Sequence, residues 1–281
     1  MAISTFIPVI WEARLLQHLD KALVYGNLCN RDYEGDIRNA GDTVKINQIS
    51  DIAVKDYTKG TAIEVDSVDG TPTELKIDQN KYFAFAVEDV DAAQANVNLV
   101  DGAMQRASYA VRDTVDQYIA SLYKEAGVTT GLGDDTTPLS VTSATKAYES
   151  LVDLKGALDD NNVPADGRFV VVPSGFYGYM LKDARFVSAG TTKTDMVLAN
   201  GYIGTAAGFA IYQSNNVPNT DGASYKILAG TRAAISYAQQ ITRTEALRRE
   251  TSFSDLVRGN FVFGAKVVQP KALACMTVNL K

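Results

Sequence analysis

Apolar residues near the start of the chain recur with the spacing of an amphipathic helix. The members of this stripe lie four residues apart: Trp11, Leu15, Leu19 and Leu23. Pro8, which has the fixed φ that suits a first helical turn, precedes them, and the polar residues 30–36 end the pattern. The spacing predicts a short helix on a tether. Its apolar stripe needs cover from the core of the same molecule or from the surface of a neighbour.

Two stretches of alternating apolar residues, 43–49 and 74–88, predict a long β-hairpin over residues 42–88. The apolar side chains of the second stretch fall at odd positions: Leu75, Ile77, Phe83, Phe85 and Val87. A strand of that length spans about 50 Å. The connection is polar, and three residues near its tip are candidates for contact with a partner: Lys55, Tyr57 and Lys59. Because a two-stranded ribbon is only marginally stable alone in water, we expect a partner surface.

Residues 91–126 carry the longest helical pattern, and Gly127 stands where a C-terminal cap is expected. Its apolar positions step by three or four: Val97, Val100, Met104, Ala107, Val111, Val115, Tyr118 and Leu122. The helix spans about 54 Å, with a start that falls nearer residue 98 if the weak first turns do not form. Packing on a sheet is favoured over a coiled-coil dimer, because the opposite face is mixed.

A second α/β region follows a loop at residues 128–141. Ser143 can cap a helix, Pro173 and Ser174 begin a shorter one, and three strands are predicted at 168–172, 208–214 and 225–229. In the tail, apolar residues alternate again over 261–267 and 273–277. We expect these late strands to pack against the long helix, which makes one domain from two separated segments of the chain.

Composition narrows the possible functions. The 281 residues are 46% hydrophobic, with a net charge of -6 and a pI near 4.9, which argues against sequence-independent binding to phosphates. The chain lacks a run of 18 apolar residues, so no membrane span is predicted, and the first ten residues do not resemble a secretory signal. Cys29 and Cys275 are interpreted as buried reduced thiols, with a disulfide as the alternative.

Residues suited to catalysis or metal binding are sparse, and no catalytic residue, cofactor or metal is predicted. His18 is the single histidine, which leaves no catalytic triad or zinc site. Glu88, Asp89 and Asp91 favour a helix N-terminus, although a hard cation or a carboxylate-dependent hydrolase stays open. A basic cluster lies among glutamates and favours salt bridges or a solvated face, with ion pairs between subunits and contact with nucleic acid as the alternatives: Arg243, Arg248 and Arg249.

The order of several stretches resembles the major capsid proteins of tailed bacteriophages, which have the HK-ninety-seven-type fold. The stretches are 6–11 (FIPVIW), 30–35 (NRDYEG), 41–46 (GDTVKI), 168–173 (RFVVVP), 208–218 (GFAIYQSNNVP) and 259–268 (GNFVFGAKVV). The resemblance spans essentially the whole chain and rests on their joint order. It implies an α+β fold with an N-terminal arm, an extended hairpin loop, a peripheral domain built on a long spine helix, and an axial domain.

For this chain the resemblance implies an arm at 1–41, a hairpin loop at 42–88, a peripheral domain at 89–140 with 251–281, and an axial domain at 141–250. It further implies hexamers and pentamers in an icosahedral head around double-stranded DNA, assembled in the host cytoplasm. A separate scaffolding protein, or in its place a cleaved precursor, and a portal are the expected partners, with a decoration protein as an optional one. The alternative is the shell of a non-viral, encapsulin-like nanocompartment. Candidate contacts between subunits are Trp11, Leu15, Leu19, Lys55, Tyr57, Lys59, Arg243, Arg248 and Arg249.

Overall fold

Two sheets and one long helix organise the chain in the structure, a computed structural model. It describes residues 23–33, 43–47, 54, 56, 59–60, 72–88, 99–183, 202–248 and 254–280. The helices in this part of the chain are α1 (Tyr25–Leu28), α2 (Leu99–Ser121), α3 (Ala144–Asp160) and α4 (Ser174–Met180). The long strands of the two sheets are β3 (Gln79–Glu88), β5 (Arg168–Val172), β7 (Phe209–Gln213), β9 (Ser224–Thr231), β10 (Ile235–Arg248), β11 (Ser254–Val267) and β12 (Leu273–Asn279), and the remaining strands are β1 (Thr43–Asn47), β2 (Pro72–Lys76), β4 (Leu139–Ser140), β6 (Tyr202–Ala206) and β8 (Asn219–Thr220).

The seven-stranded sheet has the order β4-β12-β9-β5-β7-β6, with β8 on β9. All five residues of β5 are buried, as a strand covered on both faces requires. The predicted stripe of α3 faces this core and is fully buried: Ala147, Leu151, Leu154 and Leu158. Ser143 caps α3 as predicted, because its hydroxyl accepts the Lys146 N–H at 3.3 Å.

The three-stranded sheet has the order β10-β11-β3, and α2 packs on one of its faces. The rings of Tyr118 on α2 and Phe263 on β11 meet edge to face at 5.4 Å. The predicted long helix is therefore confirmed, and it continues into a short 3-10 turn at Leu122–Glu125. Gly127 does not adopt the positive φ of a C-terminal glycine cap. Its backbone instead lies so close to Pro270 that a Cβ at this position would be 2.7 Å from the Pro270 carbonyl, which explains why the residue is a glycine.

The predicted hairpin is confirmed only at its base. β1 pairs with β2, from Thr43 opposite Lys76 to Asn47 opposite Pro72. The single strand predicted over 74–88 is wrong, since β2 ends at Lys76 and β3 then pairs with β11. The chain crosses between layers where the Lys76 carbonyl approaches Gly264, and a Cβ on Gly264 would lie 2.2 Å from that oxygen.

The late strands divide between the two sheets. β11 lies beside α2 as expected, whereas β12 pairs with β9 and β4 in the seven-stranded sheet. Conversely, β10, which the sequence patterns missed, pairs with β11. Strand pairing therefore crosses the predicted boundary between 141–250 and 251–281 in both directions, and that division stays a prediction. The patterns also missed β4, β6 and β8.

Candidate subunit interface

The face of the three-stranded sheet that points away from α2 is half covered. Over its first half, Val262 and Ala238 pack against three buried residues of the β1–β2 hairpin and the turn after it: Ile46, Leu75 and Ile77. The base of the hairpin thus finds its apolar cover within the same subunit. Val44 and Tyr33 border this small second core.

The other half of this face is left uncovered by the part of the chain that the structure describes, and we call it the open sheet face. Directly paired residues of an antiparallel ladder share a face. Leu256 lies between Leu247 and Ala86, while Arg258 lies between Glu245 and Ala84. Asn260 lies opposite Tyr82. Tyr82 is 82% exposed and Leu247 is 45% exposed, so large apolar surface faces outward here.

A shallow, mainly apolar groove of about 560 Å³ runs over this face. Its lining residues are Tyr82, Ala84, Glu245, Leu256, Arg258, Gly259 and Asn260. One ion pair crosses it: the Arg258 Nε and Nη2 both donate to Glu245 Oε2, at 2.8 and 2.5 Å. The groove can therefore bind a mainly apolar segment, and the Arg258–Glu245 ion pair can contact the polar groups of that segment.

The sequence-predicted contact residues are only partly within the described residues. Trp11, Leu15, Leu19, Lys55, Tyr57 and Arg249 lie outside them. Lys59 is exposed in a turn with Gly60, whose φ is +95°. Arg243 lies on β10 opposite Asn260, and Arg248 is exposed at the end of β10. The structure thus brings Arg243 and Arg248 to the strand that borders the open sheet face.

Four residues of the open sheet face escaped the sequence patterns: Tyr82, Leu247, Leu256 and Arg258. One signal was present, because Tyr82 falls out of phase with the odd apolar positions of its strand. Leu247 and Leu256 required the pairing of β10 with β11, which could not be predicted because β10 itself was missed.

The N-terminal stripe ends inside the folded body. Leu23, its last member, is fully buried in the main core, and so are Tyr25 and Leu28 of α1. Asn30 then bonds to the start of β10: its N–H donates to the Ile235 carbonyl and its carbonyl accepts the Tyr237 N–H, both at 2.8 Å. The segment at 23–30 is therefore an integral part of the subunit.

One buried carboxylate lies at this junction. Asp116 of α2 is 2% exposed, and its Oδ2 accepts the Val24 N–H at 3.0 Å. Burial raises its pKa to about 6, while the hydrogen bonds from the Val24 and Gly26 N–H groups and the nearby Arg112 act in the opposite direction.

Elsewhere, Lys226 is buried and pairs with Asp135, and Arg168 pairs with Asp159 at 2.7 Å.

Catalytic and metal chemistry find little support in the described residues. They contain no group of three or more His, Cys, Asp or Glu side chains placed to hold a metal ion. Of the acidic cluster, Glu88 ends β3, whereas Asp89 and Asp91 lie outside the described ranges, as does His18. Cys29 and Cys275 are free and buried, which agrees with the interpretation as buried thiols; their reduced state stays a prediction. No described helix is long and apolar enough to span a membrane.

Comparison with known families supplies the decisive observation. The family described as phage capsid protein matches residues 70–276, which is most of the chain. The chain belongs to the phage capsid protein family. A solved structure titled for Mycobacterium phage Che8 is 32% identical, with 90% of each chain covered and a TM-score of 0.70. Comparison with curated proteins gives no significant match.

More distant structures share the fold of this capsid protein. The capsid of the cyanophage P-SCSP1u is 16% identical, covers 93% of this chain and 89% of its own, and has a TM-score of 0.68. A virus-like particle from Pyrococcus furiosus is 14% identical, covers 95% and 97%, and has a TM-score of 0.57. At such identities the likeness concerns the fold alone. The α+β capsid fold implied by the sequence is thus confirmed, and the function of this capsid protein is structural, as a subunit of the phage capsid.

Proposed function

We propose that copies of this capsid protein assemble into hexamers and pentamers of an icosahedral head that encloses double-stranded DNA, and that the chain has no catalytic activity of its own. Membership of the phage capsid protein family supports the assembly. The net charge of -6 fits a wall that encloses DNA without gripping it by sequence. A separate scaffolding protein and a portal complete the head, with a decoration protein as an optional addition, and the head assembles in the host cytoplasm.

The open sheet face supports a specific contact between copies. Exposed Tyr82 and Leu247, together with the apolar groove beside them, form a surface that a soluble monomer rarely leaves uncovered. We assign it to the hairpin loop of the neighbouring copy, around Lys55, Tyr57 and Lys59. Val54 in that loop is 100% exposed within its own subunit, and Lys59 is exposed as well.

The arm forms a second proposed contact through Trp11, Leu15 and Leu19. Because Leu23 and Tyr25 belong to the core of their own subunit, a deletion that tests the arm has to stop before them. Removal of residues 1–20 should leave a folded, soluble subunit that does not close stable shells. Normal shells from this variant, seen by electron microscopy, would show that the arm is dispensable.

The experiment that tests the proposed function compares two exposed apolar positions. Leu247→Asp places a carboxylate on the open sheet face, and Val152→Asp does so on the exposed side of α3, where the parent side chain is 46% exposed. We expect the wild-type chain and Val152→Asp, expressed with the scaffolding protein, to sediment as shells. Leu247→Asp should stay a folded, unassembled subunit with unchanged circular dichroism. Equal assembly of both variants would refute the open sheet face as a contact.

The content of the shells separates the proposed function from the nanocompartment alternative. A phage head packages double-stranded DNA in the presence of its portal, whereas a nanocompartment co-purifies with a cargo enzyme. Mass spectrometry and nuclease digestion of purified particles distinguish the two. A cargo enzyme in place of DNA would overturn the assignment as a phage head.

A further inference from the structure

The segment at residues 23–30, here called the arm root, is capped by a carboxylate from another helix. Its helix α1 begins after Val24, whose side chain makes no capping hydrogen bond. Asp116 of α2 supplies that cap instead. Its Oδ2 accepts the Val24 N–H at 3.0 Å and its Oδ1 accepts the Gly26 N–H at 3.4 Å. The first N–H groups of a helix lack partners within the helix, so this carboxylate satisfies donors that would otherwise be buried and unpaired.

The arm root packs on α2, the helix that carries the buried Asp116. Buried side chains of the root belong to the same core as α2: Leu23, Tyr25, Leu28 and Cys29. The Asp116 side chain is 2% exposed while the root is docked. Lifting the root from α2 removes the two N–H donors and admits solvent to the carboxyl at the same time. The protonation of Asp116 and the docking of the arm root are therefore coupled.

The charged and titratable groups around Asp116 set the direction of this coupling. Arg112, on the same helix, favours the carboxylate, as do the backbone N–H groups of the root. Tyr25 and Cys29 face it from the root, and burial followed by the charge of Asp116 raises the pKa of each. The charge of Cys275 on β12 also raises the pKa of Tyr25. Burial outweighs the favourable groups and raises the pKa of the docked Asp116 from 3.8 to about 6.

We propose that docking of the arm root onto α2 takes up one proton from solvent at Asp116, so that the arm is held more firmly in acid than at neutral pH. The docked carboxyl binds its proton more tightly than a carboxyl in water. The added stability of docking is therefore complete below pH 3.8 and is lost as the pH rises through about 6. At neutral pH the root is docked least firmly. The arm then dissociates more readily from its own subunit and can bind a neighbouring one. The coupling belongs to the single subunit and stands whatever the arm binds.

Hydrogen exchange of the full chain tests the proposal directly. The protection of the Val24 and Gly26 amides, corrected for intrinsic exchange rates and referred to the core amide of Val170, should fall about tenfold between pH 5 and pH 8. Asp116→Asn cannot take up the proton, so its ratio should be flat over the same range. Asp153→Asn neutralises an exposed carboxylate on α3 and should behave as the wild type does.

Two outcomes overturn the proposal. One is a flat ratio in the wild type; the other is a ratio that rises with pH, which means that the charged carboxylate holds the root better than the neutral acid. If Asp116→Asn does not fold, two measurements on the wild type decide. They are the pH profile of amide protection and the titration of the Asp116 carboxyl followed by carbon-13 magnetic resonance. A midpoint near 6 supports the coupling, and a midpoint at or below 3.8 refutes it.

Discussion

The two larger sheets of this capsid protein, with seven and three strands, differ in how much of their surface one copy covers. Every residue of β5 in the seven-stranded sheet is buried, and so are five successive residues of β9. In the three-stranded sheet, β3 alternates between exposed residues such as Tyr82 and half-buried ones such as Phe83. The difference teaches that stability and assembly can reside in different places: one sheet is buried within the subunit, and the other has an open face that we assign to a neighbour.

The largest loss of stability is expected in the seven-stranded region. Leu154 on α3 is fully buried in the main core, so Leu154→Ala should lower the free energy of unfolding by about 2–5 kcal/mol through lost burial and a residual cavity. Chemical denaturation measures it. Leu181→Ala is the control, since that leucine is 48% exposed and its removal should cost less than about 1 kcal/mol. Similar losses at both sites would contradict the contrast.

A smaller loss is expected where the β1–β2 hairpin crosses the three-stranded sheet. Gly264→Ala places a Cβ 2.2 Å from the Lys76 carbonyl oxygen, so the crossing chain has to move. We expect a loss of about 1–3 kcal/mol, typical of overpacking, and weaker protection of the β1 and β2 amides in hydrogen exchange.

Gly156→Ala is the matched control for this substitution. Gly156 lies within α3, and an added Cβ meets no atom within 4 Å. Alanine should therefore stabilise the protein by up to about 1 kcal/mol through helix propensity. A destabilising effect at Gly156, or none at Gly264, would contradict the role given to close backbone approach.

Elements with one uninterrupted periodicity could be predicted from the sequence. The stripe of α2, the capped helix α3 and the apolar run of β5 each carry their signal within a single window. β10 did not, because its register shifts between Ile241 and Arg243. A bulge of this kind moves the following side chains to the other face of the sheet. The alternation of apolar and polar residues before the bulge is therefore out of phase with the alternation after it, and no single period marks the strand.

The open sheet face was beyond sequence patterns for a different reason. Its residues come from β10 and β11, which follow one another in the chain, and from β3, which lies far before them, and no local window records that β3 pairs with β11. The break at residues 77–78 was hidden as well, since Ile77 keeps the phase of Leu75 although the chain changes layers there. The contact residues predicted in the arm and at the hairpin tip remain predictions, apart from the exposure of Lys59.

The N-terminal cap of α3 should give an intermediate effect. Ser143→Ala removes the acceptor of the Lys146 N–H and should cost about 1 kcal/mol of unfolding free energy. Thr142→Ala, one residue earlier at an exposed position, should change little. Equal effects in thermal unfolding would mean that the hydroxyl of Ser143 does not stabilise the helix.

The smallest effect on stability is expected where the effect on assembly is large. Tyr82 and Phe83 are neighbours on β3 whose side chains point to opposite faces. Phe83 packs over Gly259 and stacks with Phe85 at 6.4 Å, so Phe83→Ala should lower the free energy of unfolding by more than 1 kcal/mol. Tyr82→Ala should change it by less than about 0.5 kcal/mol, because the ring is already 82% exposed. Shell yield, measured by sedimentation, should nevertheless fall for Tyr82→Ala, since the missing ring belongs to the surface that we assign to a neighbour. An unchanged yield would mean that the exposed tyrosine is a solvated side chain and that the second sheet is as complete as the first.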